Sequence, residues 1–480
     1  MLRRLSLAFA VAAVVSGPSL AEEPTASPRS DLVTVYQLAA MNSADIAATV
    51  SDIEARREVV PQARAGLLPN ISLAAGIADS RSKVDTNAGT VTSSRSGPLY
   101  QATLSQPIFR ADRWFQLQAA EAISEQASLE LSVAEQQLIL DSAEAYFAVL
   151  RAQDNLAATK AEEAAFKRQM DQANERFDVG LSDKTDVLEA QAGYDSARAN
   201  RILAERQVQD AFQALVTLTN REHYSLVGIK HTLPILPPVP NDAQAWVDTA
   251  AQQNLRLLAA DYAVIAAEQT LRQRKAGHAP TVDAVAQYQR GDNDRLGFVN
   301  NQGLPGYGSN AEQSSIGLQL NIPLYSGGLT SSQVREAYSR VDQAEHQREH
   351  LRRQVVQATR NLHRALNTDV ETVQARRQSI ISNQSALEAT EIGYQVGTRN
   401  IVDVLDAQRQ LYSSVRNYNN ARYDYILNNL RLKQAAGTLS PDDLQALSEH
   451  LQPDYNPDRD FLPPDLARSA EESRRNRDLF

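Results

Sequence analysis

Cysteine is absent from the 480 residues. That excludes disulfides, thiolate-ligated metal and a lipidated N-terminal cysteine. Tryptophan (two), methionine (three) and aromatics as a group (6%) are scarce, and mean hydropathy is −0.40, a composition unlike that of ordinary globular domains. Beyond the first residues no segment stays apolar for the roughly 18 residues that a transmembrane helix needs. A chain of this kind crosses a membrane only as a closed β-barrel, because lipid leaves an open strand edge unsatisfied. Bases are the minority, 48 against 58 acids. An acidic balance argues against nucleic acid as a partner.

The N-terminus has the grammar of an export leader: Arg3-Arg4, an apolar run from Leu5 to Val15, a Gly17-Pro18 break and Ser19-Leu20-Ala21. We assign residues 1–21 as a signal peptide cleaved after Ala21, with an uncleaved anchor as the alternative. Its removal takes two arginines and leaves a charge of 46 − 58 = −12 with histidine neutral.

The stretch Tyr394 to Leu411 (YQVGTRNIVDVLDAQRQL) has a twin at Phe177 to Tyr194 (FDVGLSDKTDVLEAQAGY). They align without a gap, Gly180 on Gly397, Asp186 on Asp403 and Gln191 on Gln408, an offset of 397 − 180 = 217. In each, Val-Gly closes an incoming helix, since glycine tolerates the left-handed C-terminal cap, and Asp183 or Asn400 caps the next. Each copy predicts the tip of a helical hairpin. Two ordinary helix turns in a repeat protein are the plainer account, but identity extends well outside the turns.

Taken in order, residues 22–233 form a first repeat and 242–440 a second, joined by a Pro-rich linker at 234–241. The first opens with a helix from Asp31 to about Ala65, kinked at Pro61. Alternating residues then predict strands at about 70–78 and 99–108, joined by a polar loop, Asp79 to Gly97. A proline-free interval follows, with Leu117, Ala120, Ala127, Leu131, Ala134, Leu138, Ala145 and Ala148 at heptad positions. From Ala111 to Phe177 this helix would be roughly 100 Å long; its hairpin tip lies near 178–186. The second repeat has a helix from Asp242 to Gly277, strands at about 281–290 and 315–323 around a Gly/Asn-rich loop, and a long hairpin with its tip near 395–403. Its heptads run Val334, Ala337, Val341, Ala344, Leu351, Val355, Ala358, Leu362 and Ala365. Residues 441–480, charged and proline-containing, are expected to be a disordered tail.

Each chain thus supplies four strands of about nine to eleven residues, long enough to cross a bilayer when tilted. Four strands close no barrel. Two copies would give eight and three would give twelve, and strand count alone does not choose.

GYQVGTRNIVDVLDAQRQLY, the following ARYDYILNNLRLKQAAGTLSPDDL, LNIPLYSGG and RFDVGLSDKTDVLEAQ together resemble the TolC family of outer-membrane channel-tunnels over nearly the whole chain. The resemblance implies a mixed membrane α/β fold: four transmembrane strands and long antiparallel helices per protomer, and a homotrimer whose twelve-stranded barrel continues into an α-helical periplasmic barrel. It implies a passive exit duct of tripartite efflux pumps or type I secretion. Its partners would be a periplasmic adaptor, an inner-membrane transporter of RND, ABC or MFS type, and outer-membrane lipid. No catalytic group or cofactor is expected, and lipid-anchored members carry the cysteine missing here.

By the same resemblance, Tyr394 and Arg399 on one hairpin and Thr185 and Asp186 on the other match the links that shut the periplasmic end. A phenol and a guanidinium reaching one carboxylate make charge-assisted bonds of about 1.5–3 kcal/mol each. Asp403 and Asp406 match a constriction ring. At i and i+3 they share a helix face, and three copies would converge six carboxylates able to bind cations; two acids stabilised by a helix N-terminus are the simpler account. Val179, Gly180, Leu181, Ser182, Val396, Gly397 and Thr398 match adaptor-docking tips, although capping explains the glycines equally well.

Two other readings compete. A periplasmic structural coiled coil explains the heptads and leaves the strands unexplained. His346-Gln347-Arg348-Glu349-His350 matches an inverted zinc-peptidase pattern, HxxEH, on a charged helix without a third ligand. Arg290-Gly291-Asp292 and Asp292-Asn293-Asp294 are expected to be turn residues, and Gly303, Gly306 and Gly308 lack the helix a phosphate loop requires.

Overall fold

The computed structural model describes residues 29–87, 89–292 and 310–466. The leader, most of the Gly/Asn-rich loop and the last residues of the tail lie outside them. Helices α1 (Leu32–Asn42), α2 (Ala44–Arg57) and α3 (Val59–Ala65) lead into β1 (Asn70–Thr86) and β2 (Gly89–Phe109), then α4 (Ala111–Asp178) and α5 (Lys184–Thr219). After β3 (Gly228–Ile229) the order returns: α6 (Ala243–Gln253), α7 (Leu255–Ala276), β4 (Thr281–Asp292), β5 (Asn310–Asn321), α8 (Leu329–Gln395) and α9 (Ile401–Ala436). The chain continues through α10 (Pro441–Ser448), β6 (Leu451–Gln452) and α11 (Pro457–Asp460).

Corresponding elements match in length: 11 residues in α1 and α6, 68 and 67 in α4 and α8, 36 in both α5 and α9. At about 1.5 Å per residue α4 and α8 are each roughly 100 Å long.

The expected single helices before each sheet are broken once or twice by sequence-local caps. Ser43 accepts from the Ile46 amide and Asn254 from the Leu257 amide, each stopping one helix and starting the next. A further break falls at Glu58, so that Pro61 sits in the first turns of α3, where its missing N–H costs little. Helix α8 begins at Leu329, directly after two glycines in the left-handed region, Gly327 and Gly328.

Strands β1, β2, β4 and β5 form one antiparallel sheet in that order. They run to 17, 21, 12 and 12 residues, longer than expected for the first pair, because the polar stretch from Asp79 to Gly97 is strand rather than loop. Its Ser, Thr, Lys and Asp alternate with no apolar face, so periodicity gave no strand signal, yet β1 and β2 pair continuously from Asn70↔Ser105 to Thr86↔Gly89. Ile71, Leu104, Ala286 and Ile316 lie across the four strands in register. On that face Ile71, Ile316 and Leu318 are 73, 87 and 74% exposed, so an apolar sheet face stands bare between two free edges, β1 and β5.

The heptad seam is partly as expected: Leu117, Ala120, Ala127, Leu138, Ala337, Val341 and Val355 are buried. Ala148 and Ala358 are exposed instead, and Phe147 and Thr359 take the interior. A straight helix drifts against a strict seven-residue repeat, and partners change along its length.

The main core lies midway along α4, where Tyr146, Phe147 and Leu150 pack with Leu215, Leu366, Tyr423 and Ile426. Here the expectation of a disordered tail fails for its described part. Ser440 and Asp443 close a capping box at α10, β6 pairs with β3, and Leu444, Leu451, Tyr455, Phe461 and Leu466 are buried. Average composition hid these few apolar residues, each spaced to reach the helix surface below. Gly228 is required there: a Cβ would meet the Tyr455 ring at 2.0 Å.

Candidate functional site at the helical tips

Both hairpin tips follow from local chemistry. Gly180 (φ 76°) and Gly397 (φ 79°) adopt the left-handed cap. Leu181 then donates to the Arg176 carbonyl at 2.8 Å and Thr398 to the Gly393 carbonyl at 2.8 Å, satisfying carbonyls that each helix end would orphan. Asp183 accepts from the amides of Thr185 and Asp186, while Asn400 and Asp403 form a reciprocal capping box. Val179, Leu181 and Val396 project 68–71% exposed. Glycine and capping thus form the tips, and their aliphatic residues stay exposed.

Behind the tips, Phe166, Ala173, Ala190, Ala197, Leu387, Ile401, Val404 and Leu405 enclose Tyr394. Its ring lies under the Arg176 guanidinium at 4.8 Å, a cation–π contact. The Tyr394 hydroxyl is buried without a hydrogen-bond partner among the described residues. Burial, and then the negative charge of Asp186, push its pKa upward. Ser182 is the hydroxyl close enough to act on Tyr394, and its own Oγ donates to Asp186 Oδ2 at 2.7 Å.

Of the four expected gate residues, only Tyr394 and Asp186 come within reach of each other's charge. Tyr394 and Asp186 feel one another, Thr185 is exposed with its amide on Asp183, and Arg399 turns to Asp403 of its own helix at 3.8 Å. Arg399 folds back because Gly393 leaves room: a Cβ on Gly393 would lie 2.8 Å from Arg399 Cγ. The carboxylates proposed for a ring also have local partners. Asp403 accepts from the Asn400 amide, and Asp406 pairs with Arg409 at 2.6 Å. Both remain on the exposed side of α9, with side-chain exposures of 38 and 62%. Arg176 and the Ser182–Asp186 bond were not anticipated. The identity of the two tip segments gave no signal for either, since a cation above a ring needs two helices to be placed.

HxxEH forms no metal centre among the described residues. Glu349 accepts from Arg352 and Arg353, which hold its carboxyl down at about 2, and His350 bonds Gln354. No group of three or more acidic or histidine ligands occurs among the described residues.

Comparison with known proteins decides the family. The model of the outer membrane efflux protein family matches twice, over residues 35–221 and 246–438. The chain belongs to the TolC family of outer membrane efflux proteins. It is 37% identical over 424 residues to the outer membrane protein TolC of Vibrio cholerae, covering 88% of this chain and 94% of that one. It is 26% identical to the alkaline protease secretion protein AprF of Pseudomonas aeruginosa over 89% of each chain. Among solved structures, the outer membrane protein VceC of Vibrio cholerae superposes with a TM-score of 0.72 at 18% identity, over 85% of this chain and 96% of that one. As a TolC-family efflux protein the chain is an outer-membrane exit duct extending into the periplasm.

Proposed function

We propose that three copies of this chain close their sheets into a twelve-stranded barrel, continuous with an α-helical tunnel whose periplasmic end is a gate. One observation carries the reading: an open four-stranded sheet with a bare apolar face and two unpaired edges stands directly on helices of roughly 100 Å. Twelve strands leave a lumen, whereas eight are filled by their own side chains. The duct serves efflux or type I secretion, recruited by an inner-membrane transporter and its periplasmic adaptor, which docks on Val179, Gly180, Leu181, Ser182, Val396, Gly397 and Thr398.

The gate consists of Tyr394 and Arg399 reaching Thr185 and Asp186. The unpaired Tyr394 hydroxyl beside Asp186 supports this, because a small shift of either hairpin supplies the missing acceptor. Arg399, exposed and only loosely paired, is free to bond a neighbouring hairpin in the closed assembly. Asp403 and Asp406 converge as a cation-selective ring, and Arg409 moderates its charge.

Planar-bilayer recording of the purified protein tests the proposal. Wild type should show a small cation-selective conductance, and Tyr394→Phe/Arg399→Ser one that is severalfold larger. An unchanged conductance from intact oligomers would remove the gate assignment.

A further inference from the structure

We infer that the arginine-bearing face of α8 is the seat of helix α2 from a second copy, with Arg353 facing Asp45 of that copy. The inference rests on the oligomeric reading above and adds its charge chemistry. On α8, Arg353, Arg360 and Arg364 share an exposed face, with Arg352 at its margin. Only Glu349 neutralises any of them, taking both Arg352 and Arg353, while Arg360 and Arg364 bond the amides of Gln244 and Asn361. The four arginines are exposed, and from the rest of the described chain Gln244 of α6 reaches Arg360.

Asp45, near the start of α2, supplies the complement. No arginine or lysine of the described residues pairs with it, and Asp141 of α4 lies close enough for the two charges to act on each other. Burial, then Glu144 and Asp45, hold the Asp141 carboxyl above its ordinary range. Asp45 precedes the edge strand β1, and the arginine face follows the edge strand β5.

The internal repeat brings the two together. Asn254 and Ser43 cap equivalent helices, as do Asp242 and Asp31, both at an offset of 254 − 43 = 211. Within one chain α4, which follows β2, packs along α7, which precedes β4, and the strands β2 and β4 are neighbours. When β5 pairs with β1 of another copy, α8, which follows β5, meets α2 and α3, which precede β1, in the same relation. At the internal junction Gln136 of α4 and Arg256 of α7 line one cavity of about 370 Å³. At offsets of 217 and 211 their counterparts are Arg353 and Asp45. A neutral amide beside one cation is thereby replaced by an ion pair between copies.

The absence of cysteine gives a clean test. Asp45→Cys/Arg353→Cys in the full-length protein, treated with a short bis-maleimide, should yield covalent multimers on a denaturing gel, and neither single variant should yield more than dimers. The internal pair Gln136→Cys/Arg256→Cys should link within one chain. Arg353→Glu should raise subunit dissociation roughly fivefold to tenfold, and Asp45→Arg in the same chain should restore it. Protein that is oligomeric by light scattering, gives no multimer ladder and links normally at the internal pair would overturn the inference. A monomer by light scattering would instead overturn the oligomeric reading.

Discussion

The waist and the tips of this molecule treat polar burial in opposite ways. At the waist Asp154 is 1% exposed, and both its oxygens are taken, by the hydroxyls of Tyr423 (2.7 Å) and Tyr455. Arg422, equally buried, donates to the Lys230 carbonyl, and Asn419 donates to the Phe461 carbonyl at 2.9 Å. Even there His231 Nδ1 and Asn419 Oδ1 lack partners, but the C-terminal strap is held from several sides. At the tip Tyr394 Oη, Gln408 Oε1 and Arg176 Nε are all buried and unpaired, and the one ion pair of Arg399 is long. A buried polar group left unmade costs about 1–3 kcal/mol. The waist is thus bonded from several sides, and the tip keeps buried polar atoms without partners among the described residues.

The sharpest way to break this contrast is at the strap. Tyr455→Ala should cost about 3–5 kcal/mol, because it empties a packed site and removes a donor from Asp154. Urea unfolding and proteolytic release of the C-terminal segment would measure it. A loss below about 1 kcal/mol would make the waist no firmer than the tip.

Acidity gives the next effect. Burial raises the Asp154 carboxyl from 3.8 to about 6, outweighing its two phenol donors, so its contribution to stability is full below about pH 4 and is lost as pH rises through 6. Burial, with the charge of Arg422, lowers His231 from 6.5 to about 3, so its contribution is full above pH 6.5 and is lost on acidification. Between pH 4 and 6 the two oppose one another. Relative to wild type, Asp154→Asn should lose stability on acidification and His231→Gln on alkalinisation, each by about 1.4 kcal/mol per pH unit. Parallel pH profiles for all three proteins would refute the assignment.

At the tip the expected changes are smaller. Tyr394→Phe removes a hydroxyl that has no partner in the single chain, so thermal unfolding of that variant should stay within about 0.5 kcal/mol of wild type even as conductance rises. A markedly destabilised Tyr394→Phe would show that the hydroxyl is already bonded. Asp403→Ala, which opens the capping box, should cost about 0.5–1 kcal/mol, read from the same melts.

Much of this was legible in sequence because it is local. Gly180 and Gly397 at the left-handed caps, Asp183 and Asn400 as N-caps, and the period-two runs at Ile71 and Ile316 all depend on residues within a turn or a strand of one another. The strand from Asp79 to Gly97 escaped notice because its polar residues show no apolar alternation, whereas its pairing is made by the backbone. The ordered segment around Tyr455 escaped because its contacts, with Asp154 and Gly228, lie far away in the chain.

The sequence by itself determined the long hairpins, the core of the four strands and the order in which they recur, through caps, periodicity and a repeat of Gly, Asp and Gln in two tips. Only the tertiary structure decided where distant polar groups meet: that Asp154 takes the hydroxyls of Tyr423 and Tyr455, and that the Tyr394 ring lies under Arg176. The physical reason is range. A cap or a hydrophobic period is set within a few residues, whereas a hydrogen bond between hairpins depends on how two helices of roughly 100 Å lie against each other.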